Sequence, residues 1–268
     1  TRVNIGEIHW LFPSSLIIDD LTVNDQKNEQ LLAVNRIATK VEWIPLVKHG
    51  QLSIRNIRLF EPDINLYKVN ADGEMNYQFL VDAFTAKERK EKKSKWLNLR
   101  VNSLLIRKAS VKYDVHSEKV TPGIFNRHHI DVNNLSAMLS LKELTNDSIS
   151  MIVRSMQCTE HSGAKIEDLY LRFVGNRHGA TLGNFHLKLP NSSLRLDTLW
   201  FDYSPDDFFN SLIVKGSIPP SRITPSDLGS FIPTIKDFKE PIHVSGDAIA
   251  SKSQICIKGL EVYTHHKD

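Results

Sequence analysis

Ser15-Leu16-Ile17-Ile18-Asp19-Asp20-Leu21-Thr22-Val23 carries the pattern on which the fold turns. Leu16 and Ile18 alternate with their neighbours as the buried face of a strand does, and so do Leu21 and Val23. Two residues rather than one separate the pairs, and in a plain strand that offset would send Leu21 and Val23 to the opposite face. Asp20, just ahead of the third apolar position, is a short polar residue that tolerates unusual backbone angles. A bulge there absorbs the extra residue, restores the facing and bends the strand. The alternative, a two-residue hairpin, leaves arms of only about three or four residues.

The pattern recurs outward from this stretch as Leu52-Ile54-Ile57-Leu59, Leu99-Val101-Leu104-Ile106, Ile130-Val132-Leu135-Ala137 and Ala164-Ile166-Leu169-Leu171. It continues as Ala180-Leu182-Phe185-Leu187, Leu194-Leu196-Leu199-Phe201 and Ile255-Ile257-Leu260-Val262, with a looser copy at Leu32-Val34-Ile37-Thr39. The residue before each third position is Asn56, Ser103, Asn134, Asp168, Asn184, Thr198 or Gly259, again small polar or Gly. Irregular intervals between copies exclude a coil of fixed period such as a parallel β-helix. The expected fold class is all-β and mostly antiparallel: an elongated, curved, open β-groove of bulged strands with a few short helices. Its concave side carries one aliphatic surface, to which Leu16, Ile18, Leu21, Val23, Leu52, Ile54, Ile57, Leu59, Leu99, Val101, Leu104, Ile106, Ile130, Val132, Leu135, Ile166, Leu169, Leu171, Leu182, Phe185, Leu187, Leu194, Leu196, Leu199, Ile255, Ile257 and Leu260 are assigned as candidate lining positions. Residues 1–268 are expected to form one continuous segment of this groove. The chain opens mid-pattern at Val3, Ile5 and Ile8 without an initiating Met or a leader, as an internal piece of a longer protein would.

Composition agrees with a folded domain. The 268 residues are 41% hydrophobic and 24% charged, which excludes global disorder. No stretch approaches the ~20 uninterrupted apolar residues of a membrane-spanning helix. Lys plus Arg minus Asp plus Glu is 34 − 31, or +3. The run from Lys87 to Lys95 contributes six cations against Glu88 and Glu91, so the remainder is slightly acidic and nucleic acid is a poor partner.

Helical signals are local. Phe79, Leu80, Ala83 and Phe84 have helical spacing and lead into the charged run, so 79–95 is expected as a helix plus a mobile charged insertion. Ser204-Pro205-Asp206-Asp207 and Thr224-Pro225-Ser226-Asp227 each place a cap, a Pro and an acid as helix starts do. Trp43 to Lys48 reads as a short crossing segment, and Asp72-Gly73, Pro122-Gly123 and Pro219-Pro220 read as turns.

Motifs for chemistry are absent. There is no phosphate-cradling Gly motif, no nucleophile elbow and no HExxH helix, so no catalytic residue, metal or cofactor is assigned. His128-His129 and His265-His266 lack a third ligand at zinc-like spacing and read as surface histidines. Cys158 and Cys256 read as isolated small hydrophobes, a disulfide between them being the alternative. Asn134-Leu135-Ser136, Asn146-Asp147-Ser148 and Asn191-Ser192-Ser193 match the glycosylation acceptor pattern at a frequency chance explains.

Beyond the strand pattern, the order of segments resembles a known family. Ser15 to Val23 is followed by Leu31-Leu32-Ala33-Val34, Ile37-Ala38-Thr39-Lys40-Val41 and Leu46. Then come Gly50-Gln51-Leu52-Ser53-Ile54-Arg55-Asn56-Ile57-Arg58-Leu59, Pro62-Asp63-Ile64-Asn65-Leu66 and Gly73-Glu74-Met75-Asn76-Tyr77. This succession resembles the N-terminal repeat region of the AsmA/TamB superfamily of Gram-negative envelope proteins. Ile223-Thr224-Pro225-Ser226-Asp227-Leu228 with Phe231-Ile232-Pro233 is similar to the helix insert of TamB-like proteins of the Bacteroidetes type. The resemblance implies a periplasmic β-groove, anchored in the inner membrane by an N-terminal helix outside these residues. It implies phospholipid as cargo between inner and outer membranes, and an outer-membrane barrel protein as a partner. A lipid conduit is therefore the expected function, since an aliphatic trough relieves the exposure of acyl chains, roughly 0.8 kcal/mol per CH₂. Two other readings stay open. One is a scaffold for outer-membrane protein assembly that receives client strands on its edges. The other is a carbohydrate-binding module or glycosidase, for which the scattered Trp10, Trp43, Trp96 and Trp200 offer no platform.

Overall fold

The computed structural model describes residues 2–42, 44, 47–48, 52–80, 97–144, 148–204 and 211–264, with backbone alone for 52–55, 97–101 and 143–144. Fifteen strands make up most of it. They are β1 (Arg2–Asn4), β2 (Glu7–Leu11), β3 (Ser15–Asn24), β4 (Gln30–Glu42), β5 (Leu52–Lys68), β6 (Leu97–Val115), β7 (His129–Leu144) and β8 (Ser148–Glu160). The others are β9 (Lys165–Ile166), β10 (Asp168–Asn176), β11 (Gly179–Lys188), β12 (Ser193–Asp202), β13 (Ile213–Ile223), β14 (Ile242–Ser251) and β15 (Ile255–Tyr263). The fold is all-β, a mostly antiparallel sheet that does not close on itself. Two compact units divide the chain, Thr1–Ser136 and Ala137–Asp268, and β7 runs from one into the other.

In the first unit the strand order is β1-β3-β4-β5-β6-β7, with β2 beside β1 on the same flank of β3. β1–β3, β2–β3, β3–β4 and β4–β5 pair antiparallel, whereas β5 and β6 run parallel from Leu52↔Leu97 to Lys68↔Val115. A parallel pair needs a crossover connection, here residues 69–96. Its described part includes the turn at Asp72-Gly73, where Gly73 N–H donates to Asn70 O, and a helical turn beginning at Gln78. The rest of the expected 79–95 helix and charged run lies outside the described residues, as do Trp43, Pro45 and Leu46, Pro205 to Asp207, and His265-His266. In the second unit the order is β7-β8-β10-β11-β12-β13-β14-β15, with β9 on β8.

The bends fall where strand pairing needs them. Asp20, Asn134, Asn184 and Gly259 hold left-handed backbone angles, φ +53°, +53°, +52° and +59°. Glu61 and Lys108 do so too, at +49° and +53°. Leu21 faces Val34 and Asp19 faces Arg36, so Asp20 lies opposite Asn35. Val34 faces Pro62 and Arg36 faces Phe60, so Asn35 lies opposite Glu61 and gives its side-chain amide to that carboxylate at 3.0 Å. Lys108 follows on β6, its N–H donating to Ser136 Oγ on β7, beside Asn134. Gly6 breaks the outer flank at the same level, donating its N–H to the Asp19 and Asp20 carbonyls. The result is a transverse crease, Gly6–Asp20–Asn35–Glu61–Lys108–Asn134, that crosses the unit from strand to strand. Its polar residues on the strands are exposed, whereas Val34, Pro62 and Ala109 immediately beyond it are almost wholly buried. Polar side chains thus take the outside of the bend, and apolar side chains from both strand halves meet inside it.

The second unit repeats the device with different residues. Tyr170 pairs with His186 but Arg172 with Gly183, so β11 carries an extra residue at Asn184. Ser245 pairs with Glu261 but Asp247 with Lys258, so β15 carries one at Gly259. Pro219-Pro220 is not a turn: both prolines lie within β13, where the register to β14 shifts between Ile218 and Ser221. A bulge tolerates the two missing N–H groups. The Ser221 hydroxyl fills the gap by accepting Arg195 N–H at 3.0 Å. The segment after Thr224 forms two short 3-10 turns, Pro225–Leu228 and Pro233–Ile235, rather than one helix.

Candidate functional site

Cross-strand register gathers the candidate lining residues into rows. In the first unit one row runs Trp10–Leu16–Thr39–Ile57–Leu104, and the next Ile8–Ile18–Ile37–Leu59–Ile106. Beyond the crease come Leu21–Val34–Pro62 and then Val3–Val23–Leu32–Ile64–Val111. In the second unit Leu169–Leu187–Leu194 forms one row and Phe185–Leu196 part of another, with Leu171 opposite Val153. Met151–Phe173–Leu182–Leu199–Gly216–Ala248–Ile257 runs across seven strands, flanked by Ala180–Phe201–Val214–Ala250–Ile255. Directly opposed residues share a face, so each row is a continuous apolar band.

These bands are only partly covered: Thr39, Val34, Pro62 and Val153 are buried, and their other members with described side chains are half-buried or exposed. Every candidate lining residue whose side chain is described is half-buried or exposed, including Ile130, Val132, Leu135 and Ile166. On β15, Ile255, Ile257 and Leu260 are 72%, 51% and 54% exposed. A closed sandwich core buries such residues fully, so the bands form a surface that stays partly open. Leu52, Ile54, Leu99 and Val101 are placed by backbone only, with Ile54 beside Leu99; their side chains lie outside the described residues.

The opposite face is polar at its best-defined part. Arg36 donates from Nε and Nη2 to Asp19 at 2.6 and 3.1 Å, and His9 Nε2 lies 3.0 Å from Glu7 and 3.6 Å from Asp19. The Arg36 hydrogen bond holds the Asp19 carboxyl below its ordinary range. In the second unit Lys188 and Lys165 flank Glu167 and lower it likewise.

Polar clusters among the described residues include three that brace the fold. Buried Asp25 accepts Lys27 N–H and Glu29 N–H at 2.8 and 2.9 Å and the Tyr67 hydroxyl at 2.5 Å, fixing the β3–β4 turn. Burial, then Asp25, pushes Tyr67 up to about 12. His129, read from sequence as a surface residue, instead bonds Asp114 through Nδ1 and Glu118 O through Nε2, and ties β7 to β6. Asp227 accepts Asn191 N–H, Asn191 Nδ2 and Ser192 Oγ at 2.8, 2.9 and 2.6 Å, which pins the segment after Thr224 to the β11–β12 turn. Among the described residues no three His, Cys, Asp or Glu side chains could share a metal ion. Cys158 and Cys256 are free thiols, the former pushed up by burial.

Sequence reasoning missed members of the bands whose signal was present. Val3-Ile5-Ile8-Trp10 has the same spacing as the copies found, with Gly6 at its break. Ile57-Leu59-Pro62-Ile64 and Leu104-Ile106-Ala109-Val111 give β5 and β6 a second bend each, at Glu61 and Lys108. Long charged residues are uncommon in left-handed positions, which hid those two. Compared with known proteins, the chain matches no family model, no curated protein and no solved structure.

Proposed function

We propose that this chain is a lipid-conducting β-sheet segment, whose aliphatic bands shield the acyl chains of phospholipid while headgroups remain in water. The observation that carries the reading is the alignment of apolar side chains into partly exposed rows across successive strands. Such a surface is costly in water unless hydrocarbon occupies it, and contacts of uniform weak character let a chain slide without a strong binding point. The resemblance to the AsmA/TamB superfamily supports the same reading, and supplies its setting: the periplasm of a Gram-negative cell, with phospholipid passing between inner and outer membranes. On this reading the chain needs no catalytic residue and no cofactor.

Native mass spectrometry of the purified 268-residue chain tests the proposal. Phospholipid is expected to co-purify in stoichiometric amount. Ile57→Asp and Leu104→Asp, opposed in one row, are expected to remove most of it while the β circular-dichroism spectrum is retained. Unchanged lipid in both folded variants would show that this row does not line the path.

A second reading, a scaffold for outer-membrane protein assembly that accepts client strands, is favoured by the exposed apolar side chains of β15, Ile255, Ile257, Leu260 and Val262. It expects an added strand peptide to bind equally with and without lipid, whereas occupied bands leave the lipid reading unaffected by peptide.

A further inference from the structure

The two sets of strand ends in the first unit are unlike. At one, polar groups lock the β3–β4 turn, the end of β5 and the β6–β7 connection together. The Tyr67 hydroxyl donates to Asp25 at 2.5 Å, and its ring stacks on His116 with centroids 4.9 Å apart. His116 Nε2 lies 3.5 Å from Asp114, which also holds His129.

The other end is built by the β2–β3 turn and the β4–β5 connection. They lie side by side because Ser14 O accepts Val41 N–H and Ser15 faces Lys40. β5 and β6 both begin at this end, with Ser53 opposite Glu42 and Leu97 opposite Leu52. Here the protruding side chains are apolar. Phe12 on the turn is 91% exposed and Leu11 54%, while Ile44 and Val47 in the connection are 70% and 79% exposed. Lys40 and Lys48 are exposed among them, against one half-buried acid, Glu42. In sequence, Lys92, Lys93 and Lys95 lead into Leu97, the first residue of the strand that starts here.

These apolar side chains stand on two separate loops, each beside a lysine, and do not make the one contiguous patch that a protein partner reads. Apolar tips among cations match a bilayer interface. The tips enter the acyl boundary, while lysine stems lie along it and carry their charge to the phosphates. We propose that this end of the first unit docks on the surface of an anionic phospholipid bilayer, with Phe12, Ile44 and Val47 inserted and Lys40 and Lys48 at the headgroups. The contact needs no lipid in the apolar bands, so it stands apart from the conduit reading.

Co-sedimentation of the 268-residue chain with vesicles tests this. The chain is expected to pellet with vesicles of phosphatidylglycerol and phosphatidylcholine in equal parts. Binding is expected to be weaker to phosphatidylcholine alone and to fall as salt rises. Phe12→Ser is expected to weaken binding about ten-fold and Lys48→Gln about five-fold, with the β circular-dichroism spectrum retained. Phe238→Ser, which removes a 63%-exposed side chain of the second unit, is expected to bind like the parent. A chain that does not pellet with the mixed vesicles overturns the proposal and leaves a protein as the occupant. Binding that Phe12→Ser and Lys48→Gln leave unchanged, or that Phe238→Ser weakens as much as Phe12→Ser does, overturns it too. Vesicle binding through these tips by a chain that carries no co-purified phospholipid would end the conduit reading and leave this one standing.

Discussion

Lys108 and Glu61 occupy backbone angles that an L side chain other than Asn or Asp adopts at a cost of roughly 1–2 kcal/mol. Their neighbours in the crease, Asp20 and Asn134, are the residue types that tolerate it. Replacing Lys108 by Gly is therefore expected to stabilise the chain by about 0.5–1 kcal/mol in urea denaturation, since Gly enters this region freely and only Lys108's backbone is bonded to Ser136. Tyr67 gives a second expectation at this scale. Its phenol is held up to about 12 by burial and by Asp25, above the ordinary 10.0. A raised folded value contributes stability that is fully present below pH ~10 and is lost as pH rises through 12. Phenolate absorbance is expected to show one late-titrating tyrosine, and Asp25→Asn to move it earlier.

At the scale of elements, the crease explains why the strands alternate as they do. The bends at Asp20, Asn134, Asn184 and Gly259 were legible because small polar residues or Gly mark them. The bend expected at Thr198 is carried instead by the opposite strand: Leu199 and Leu196 face Leu182 and Phe185 in step, and Asn184 across from them supplies the irregularity. Pro219-Pro220 misled because two prolines suit a turn unless a bulge takes them up; here the Ser221 hydroxyl, 3.3 Å from Arg195 O, stands in for a missing donor. The segment after Thr224 is held by one carboxylate with three donors. Asp227→Ala is expected to cost about 2 kcal/mol and to make residues 229–240 the first site of limited proteolysis. Cleavage no faster than in the parent would mean other contacts hold this segment.

For the whole molecule, the apolar spacing was enough to identify an open all-β fold. It could not indicate how strands pair, because spacing along one strand is blind to the direction of its neighbour. Nothing around Ile54 or Leu99 signals that β5 and β6 run the same way; only the long stretch between them permits it. The position of the lipid, on the proposed reading, follows from rows that exist only after pairing, so no single residue announces it. The loss of bound phospholipid in Ile57→Asp and Leu104→Asp belongs to this scale, because each variant interrupts a band that five strands build together.

That one parallel pair also has a consequence in time. Hairpin neighbours such as β3 and β4 meet after closing a short loop, but β5 and β6 meet only after the chain has travelled back the length of a strand. Their union is the latest and least probable encounter in the first unit, and refolding of residues 1–136 waits on it. Shortening the connection after Lys68, or joining the two strands by a local link, would quicken the search without altering a single finished contact.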